Sequence, residues 1–427
     1  MGSILLTSFV VFVVLGLPIA VVLGLSSAIA LALTSNIPLA VVAQRMFTAT
    51  DSFPLMAIPF FMIAGALMER GGISRRLINF ANKIVGSLPG GLALVGVLTC
   101  MFFAAISGSG PATVAAIGTI LIPAMVKEGY DVGFAAAVMA IAGSIGIIIP
   151  PSIPMVTYGV IGGVSIGSLF LGGFGPGIVV GLSLMVVAYY ISKKRGYGNK
   201  NEKFSWSGLW KTFIDAFWAL LMPVIILGGI YGGIFTPTEA SAVAVVYGLI
   251  AGFFVYKELK INQLPKVLVN SGVSTAVVML IISTAQVFGW IMTSQRIPDA
   301  VAKTFISFSS NPAVFLLLIN ILLLFVGCIM ETNAAIIILT PIFLPLVVKL
   351  GINPIFFGVI MVVNLAIGMI TPPLGVNLFV ACGIQKISLE RITKAVIPFL
   401  VVNIVALLLV TYIPDIVMFL PKILMGR

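Results

Sequence analysis

Two stretches constrain this chain more than any others: "GSIGIIIPPSIP", from Gly143 to Pro154, and "AIGMITPPLGVN", from Ala366 to Asn377. Each sets a proline pair inside an apolar run that otherwise reads as a membrane-spanning helix. Proline removes a backbone donor and its ring clashes with the preceding turn, so two together break the helix. A hydrocarbon core offers no water to the freed groups. Such a break persists only inside protein or beside a water-filled cavity. The surroundings are a bilayer: the 427 residues are 60% hydrophobic and 8% charged, against about 25% charged in a soluble domain. Apolar runs recur from Ile4 to the C-terminus, so the reading is an all-α, multi-pass membrane protein in contact with lipid.

The formal charge of +11 does not point to nucleic acid, because the basic residues lie between apolar segments and form no continuous patch. The first apolar run lacks a basic leader and is followed by more spans, so no cleavable signal peptide is expected. Cys100, Cys328 and Cys382 all fall in apolar segments, and there is no histidine. Zinc and haem sites, histidine triads and histidine proton relays are thereby set aside. The Gly-rich stretch 162–177 lacks phosphate-loop spacing and reads as close helix packing.

The chain repeats itself. An offset of 222 residues carries Pro123 onto Pro345, Lys127 onto Lys349, Pro150-Pro151 onto Pro372-Pro373 and Pro176 onto Pro398. The halves are residues 1–192 and 211–427, joined by a polar linker, 193–210. Each half is expected to hold two spans, a third span, an amphipathic arm, a hairpin (about 88–128 and 311–349), a broken span (about 132–165 and 354–386) and a last span. The second half's third span is expected at 270–294 and its arm at 298–308. The hairpins read as re-entrant, leaving an odd number of crossings per half, so the second half is inverted. With the linker in the cytoplasm, 17 of the 23 Lys and Arg residues fall on its side, the sign of asymmetry expected of cytoplasmic loops. The N-terminus then faces the periplasm.

Paired breaks in inverted halves point to a transporter's midplane site. The carbonyls before each Pro-Pro are expected to hold a cation, and the helix restarting after Pro151 or Pro373 presents its positive end to an anion. The hairpin tips "ISGSGPATVAA" and "IMETNAAII" face these breaks. One Na+ cluster is expected from Ser107, Ser109 and the backbone of Ser144–Gly146. The other takes Glu331, Thr332, Asn333, Gly368 and Thr371. Hydroxyls and carbonyls are hard oxygen ligands that suit Na+. Ser152, Asn364 and Asn377 flank the breaks; orienting substrate and capping helices account for them equally well. Thr236 or Thr238 with Glu239, and Asp51-Ser52, read as helix starts.

"DSFPLMAIPFFMIAGALMERGGISRRL", "SGSGPATVAAIGTILIPAM", "GIIIPPSIPMVTYGV" and "GIFTPTEASAVA" resemble the large membrane subunit of the tripartite ATP-independent periplasmic (TRAP) transporters, over essentially the whole chain. The resemblance implies no enzyme. It implies Na+-driven uptake of an organic acid across a bacterial inner membrane, by an elevator-type fold. Sialic acid is favoured and a C4-dicarboxylate comes next. It also implies two partners: a periplasmic substrate-binding protein and a small four-helix membrane subunit. Two other classes stand beside it: a standalone dicarboxylate or citrate carrier, and a membrane enzyme or channel. Neither an enzyme nor a channel accounts for the repeat.

Overall fold

The computed structural model describes residues 1–198, 205–298, 300–301, 311–372 and 375–426, and among them there is no strand. The first half runs through α1 (Gly2–Val14), α2 (Ile19–Thr34), α3 (Ala40–Thr50), α4 (Ala57–Arg70) and the amphipathic α5 (Ile73–Val85). Its hairpin is α6 (Gly91–Ser107) and α7 (Gly110–Lys127), its broken span α8 (Val132–Ser144) and α9 (Ile153–Gly162), and its last span α10 (Ile166–Arg195). The second half follows the same order. It runs through α11 (Trp206–Tyr231), α12 (Pro237–Ile250), α13 (Leu264–Ser294), the hairpin α14 (Pro312–Ile329) and α15 (Thr332–Lys349), the broken span α16 (Pro354–Gly368) and α17 (Val376–Gln385), and α18 (Leu389–Tyr412). A final helix, α19 (Asp415–Met425), closes the chain.

The halves are interlocked by reciprocal contacts. The third span of each packs on the second span of the other: α4 on α12, and α13 on α2. The last span of each packs on the first part of the other's broken span: α18 on α8, and α10 on α16. The second hairpin arm of each packs on the other's restarted helix: α7 on α17, and α15 on α9. Exchange of this kind buries the breaks between halves, where protein replaces the missing water.

Length alone does not mark the hairpins as re-entrant. Three of their four arms are long and apolar enough to cross a membrane, since 18 residues rise about 27 Å. The mark is that the tip between α6 and α7 ends against the interruption of α8–α9: a Cβ on Gly108 would stand 2.8 Å from the Pro151 carbonyl oxygen. Gly108 itself has φ +60°, a conformation that glycine adopts without strain and that lets α6 stop and α7 begin within two residues.

Some boundaries differ from the sequence expectation. α13 begins at Leu264 rather than 270, because Pro265 starts it from the first turn. The second arm, expected at 298–308, lies mostly outside the described residues. α3 and α19 were not anticipated. α3 lies against α13, with Ser283 Oγ donating to the Met46 carbonyl at 2.7 Å and the Arg45 guanidinium 4.0 Å from the Trp290 ring centroid. α19 packs on α10, where Gly175 leaves room for the Ile416 carbonyl. The glycine-rich stretch therefore serves close packing. Thr236 caps α12 with a full capping box to Glu239. Ser52 makes no capping bond, and Asp51 instead closes the end of α3.

Arg76 of α5 ties the arm to the rest of the chain. It bonds Glu258 at 2.6 Å, Asp215 at 3.3 Å and the Gly72 carbonyl at 2.9 Å. Its guanidinium also lies 3.8 Å from the Tyr256 ring centroid.

Candidate functional site

The first break is explained by its prolines. In a continuous helix the carbonyls of Gly146 and Ile147 would accept from residues 150 and 151, both proline and both without an N–H. The Ile147 carbonyl is taken by Ser152 Oγ at 2.6 Å. The Gly146 carbonyl receives no donor from any described residue, and Gly146 is buried. Orphaned acceptors at such depth are costly without a ligand, water or ion.

The first hairpin tip supplies more oxygen at the same place. Ser107 Oγ and Thr113 Oγ1 are 2.8 Å apart. Both donate to the Ser109 carbonyl, at 3.3 Å and 2.8 Å respectively. A Cβ on Gly146 would stand 2.5 Å from Thr113 Oγ1 and 2.7 Å from the Ser109 carbonyl oxygen, so only glycine allows this approach. Ser107, Ser109 and Gly146 thus come together, and Thr113 joins them. Ser144 does not contribute its hydroxyl, which donates back to the Ile141 carbonyl at 2.8 Å. The cluster is neutral and oxygen-only, and it abuts the residue whose carbonyl the prolines free, a donor set that fits an alkali cation.

The second break is arranged differently. The equivalent carbonyls, of Gly368 and Met369, are both claimed, by the amides of Thr371 at 3.0 Å and Asn377 at 3.1 Å. Thr371 Oγ1 donates to the Ile367 carbonyl at 2.7 Å. Gly368 is pressed against hairpin residue Gly327, its missing Cβ lying 2.5 Å from the Gly327 Cα. At the tip, Glu331 caps α15 by accepting from the Ala334 amide at 3.0 Å and from Asn333 Nδ2 at 2.8 Å. Asn333 Oδ1 in turn accepts from Thr157 of α9 at 3.1 Å. Thr332 Oγ1 is buried without a partner among the described residues. Pro373 lies outside the described residues.

The residues expected to orient substrate divide. Ser152 caps α9, accepting from the Met155 amide at 3.4 Å. Pro151 meets the hairpin through its carbonyl, beside Gly108. Asn377 Nδ2 donates to the Ala140 carbonyl at 3.1 Å, and its amide group lies beside Gly110. Asn364 caps nothing: its Nδ2 bonds Asn320 Oδ1 at 2.9 Å, and Asn320 bonds Thr411 at 2.9 Å. That chain ties α14, α16 and α18 together.

Beside the first tip lies a cavity of about 190 Å³. It is lined by Ser107 and Ser109 of the tip, by Ile153, the first residue of α9, by Glu69 of α4, and by Asn270, Ser271 and Ser274 of α13. The N-terminal end of α9, with its partial positive charge, is therefore in the wall. A second hollow, of about 440 Å³, lies at the far end of α9, between Gly163–Gly167 and the starts of α4 and α12. Sequence reasoning missed Thr113, Thr157, Glu69 and Ser271. Polar residues at 270, 271 and 274 share one face of an apolar helix, which was the available signal.

Comparison with known proteins agrees with this architecture. Residues 6–416 match the family described as tripartite ATP-independent periplasmic transporter, DctM component. The chain is 50% identical to the isethionate TRAP transporter permease protein DctMQ of Oleidesulfovibrio alaskensis, over 97% of this chain and 66% of that longer protein. It is 46% identical to the C4-dicarboxylate TRAP transporter large permease protein DctM of Pseudomonas aeruginosa, over 89% of each. It is 40% identical to the sialic acid TRAP transporter large permease protein SiaM of Vibrio cholerae, over 90% of each. Its fold is similar to that of the Alcanivorax borkumensis YdaH transporter, with a TM-score of 0.65 at 17% identity, covering 94% of this chain and 96% of that one.

Proposed function

Because this chain belongs to the DctM component family of tripartite ATP-independent periplasmic transporters, we propose that it couples the entry of a small organic acid to Na+ through the first hairpin tip. The observation that carries this is Gly146, whose carbonyl is stripped of its donor by Pro150 and whose Cα face is pressed against the Ser109 carbonyl and the Thr113 hydroxyl. Na+ held there adds charge to the positive end of α9, and an acid in the adjoining cavity answers both. Thr332 is the ligand at the second tip. Neither cluster needs an arginine. The acid's desolvation is costly, so its affinity depends on the ion.

The cavity favours a small acid over the nine-carbon sialic acid: about 190 Å³ is below the roughly 300–1,000 Å³ usual for drug-sized ligands. The arrangement supports an elevator motion. The tips are bonded to the breaks, while hollows open along the seam between α9 and the scaffold helices at both of its ends. Moving hairpins and broken spans together keeps the ligand oxygens in place, whereas rocking one half against the other would separate Thr157 from Asn333.

The inner-membrane orientation proposed here keeps the linker cytoplasmic and the N-terminus periplasmic. The ion pairs support grouping these loops on one side, with Arg76, Asp215 and Glu258 in one group and Asp131 paired with Arg391, and the Lys and Arg excess there is what assigns that side to the cytoplasm. A periplasmic binding protein and a small membrane subunit complete the system. In proteoliposomes holding all three, we expect a Na+ gradient to drive uptake and a proton gradient in Na+-free buffer to fail. Equal driving by protons refutes Na+ coupling, and full uptake without the binding protein favours the standalone carrier.

A further inference from the structure

A third hollow, of about 390 Å³, lies where the ends of three helices meet. Asp131 at the start of α8, Arg195 at the end of α10, and Ser388, Glu390, Arg391 and Lys394 at the start of α18 line it. Its charge does not balance. Arg391 Nη2 bonds Asp131 Oδ2 at 3.0 Å, and Lys394 Nζ bonds Glu390 Oε1 at 2.8 Å, so both carboxylates are taken. Arg195 is left over. Its guanidinium stands 5.7 Å from the Phe134 ring centroid, and no carboxylate among the described residues pairs with it. Lys193 and Lys194 precede it in the same turn. The starts of α8 and α18 add their partial positive charge.

The surface leading away from this hollow is apolar. From Lys394, the residues Ile397, Val401, Val405 and Leu409 follow at three- or four-residue spacing on one face of α18, each at least 44% exposed. The packed neighbour α10 exposes Ile178, Leu182, Val186 and Tyr190 in the same rhythm. From Ile397 to Leu409 the helix rises about 18 Å, a little over half of a hydrocarbon core about 30 Å thick.

A hollow of net positive charge, continued by an exposed apolar stripe one leaflet deep, has the shape of an amphiphile with an anionic head. We propose that it binds an anionic phospholipid, with the headgroup phosphate against Arg195 and the acyl chains along α18. A zwitterionic lipid fits less well, because its ammonium needs a free carboxylate and Asp131 and Glu390 are already paired. The hollow lies on the side that carries the Lys and Arg excess, and anionic lipid of the cytoplasmic leaflet is attracted to basic residues there, each worth about fivefold in affinity.

The test is native mass spectrometry of the full chain in detergent. It is titrated in parallel with phosphatidylglycerol and phosphatidylethanolamine of the same acyl chains, with inorganic phosphate as competitor. We expect wild type to hold the first phosphatidylglycerol at least about fivefold more tightly. Arg195→Gln should remove most of that preference without breaking an ion pair, and Arg195→Lys should keep it. Lys211→Gln, which removes an exposed cation of α11, should leave it unchanged. Equal binding of the two lipids by wild type overturns the proposal, whether or not Arg195→Gln is stable. A preference that survives Arg195→Gln, or that Lys211→Gln lowers as much, overturns the assignment to this hollow. Displacement of the lipid by equimolar inorganic phosphate overturns the choice of a lipid.

Discussion

Gly146→Ala lowers Na+-driven uptake by about 100-fold, the scale expected when a ligand set is displaced by an ångström. The added methyl has nowhere to go. It would lie 2.7 Å from the Ser109 carbonyl oxygen and 2.5 Å from Thr113 Oγ1, and backbone cannot yield as a side-chain tip can. The hairpin must back away from the break, separating Gly146 from the oxygens proposed to hold the ion with it. Helix propensity favours alanine by up to about 1 kcal/mol, so the loss is not a general weakening. Gly383→Ala is the control, since a Cβ there meets nothing within 4 Å and transport should stay near wild type. Uptake by Gly146→Ala close to that of the control would remove the first break from the coupling site.

A disulfide between α4 and the first hairpin tip stops transport. A Cβ on Gly65 would lie 3.4 Å from the Ser107 Cα, within the reach of a disulfide. In a background without Cys100, Cys328 and Cys382, the pair Gly65→Cys and Ser107→Cys is expected to crosslink under mild oxidant. Uptake then falls to background and returns with reductant. Comparing the oxidised and reduced states of one protein cancels any cost of losing the Ser107 hydroxyl. In the proposed elevator motion α4 belongs to the scaffold and Ser107 travels with the ligands, so the bond locks one to the other. Unchanged turnover in fully crosslinked protein contradicts the elevator motion.

Most of the architecture was legible because the features that specify it are local and punctuated by proline. Pro150-Pro151 and Pro372-Pro373 announce the breaks, and the 222-residue offset aligns the hairpins, as the reciprocal packing of α7 on α17 and α15 on α9 reflects. α3 and α19 were not legible. They are short, 11 residues each, and are held by tertiary contacts such as Met46 with Ser283 rather than by a pattern of their own.

At the candidate site, the hydrogen bonds of individual side chains were not legible from sequence. Whether a hydroxyl faces a ligand or turns back on its own helix depends on rotamer and neighbours. Ser144 and Thr371 turned back, while Ser107 faced inward. The asymmetry between the breaks was hidden for a similar reason. Gly146 and Gly368 are equivalent in sequence, yet only the Gly368 carbonyl finds a backbone donor. Glu69 and Ser271 line one cavity from positions some 200 apart, which no local pattern reports.

The central claim is that the oxygens at the first break bind the ion on which acid binding depends. The most direct measurement is acid affinity of the purified chain in nanodiscs across a Na+ titration at constant ionic strength, for wild type and Gly146→Ala. Wild-type affinity should climb with Na+ and then plateau, collapsing when choline replaces Na+, and the variant should stay weak throughout. Affinity that is the same in choline as in Na+, or a Gly146→Ala titration that overlays the wild type, would contradict it.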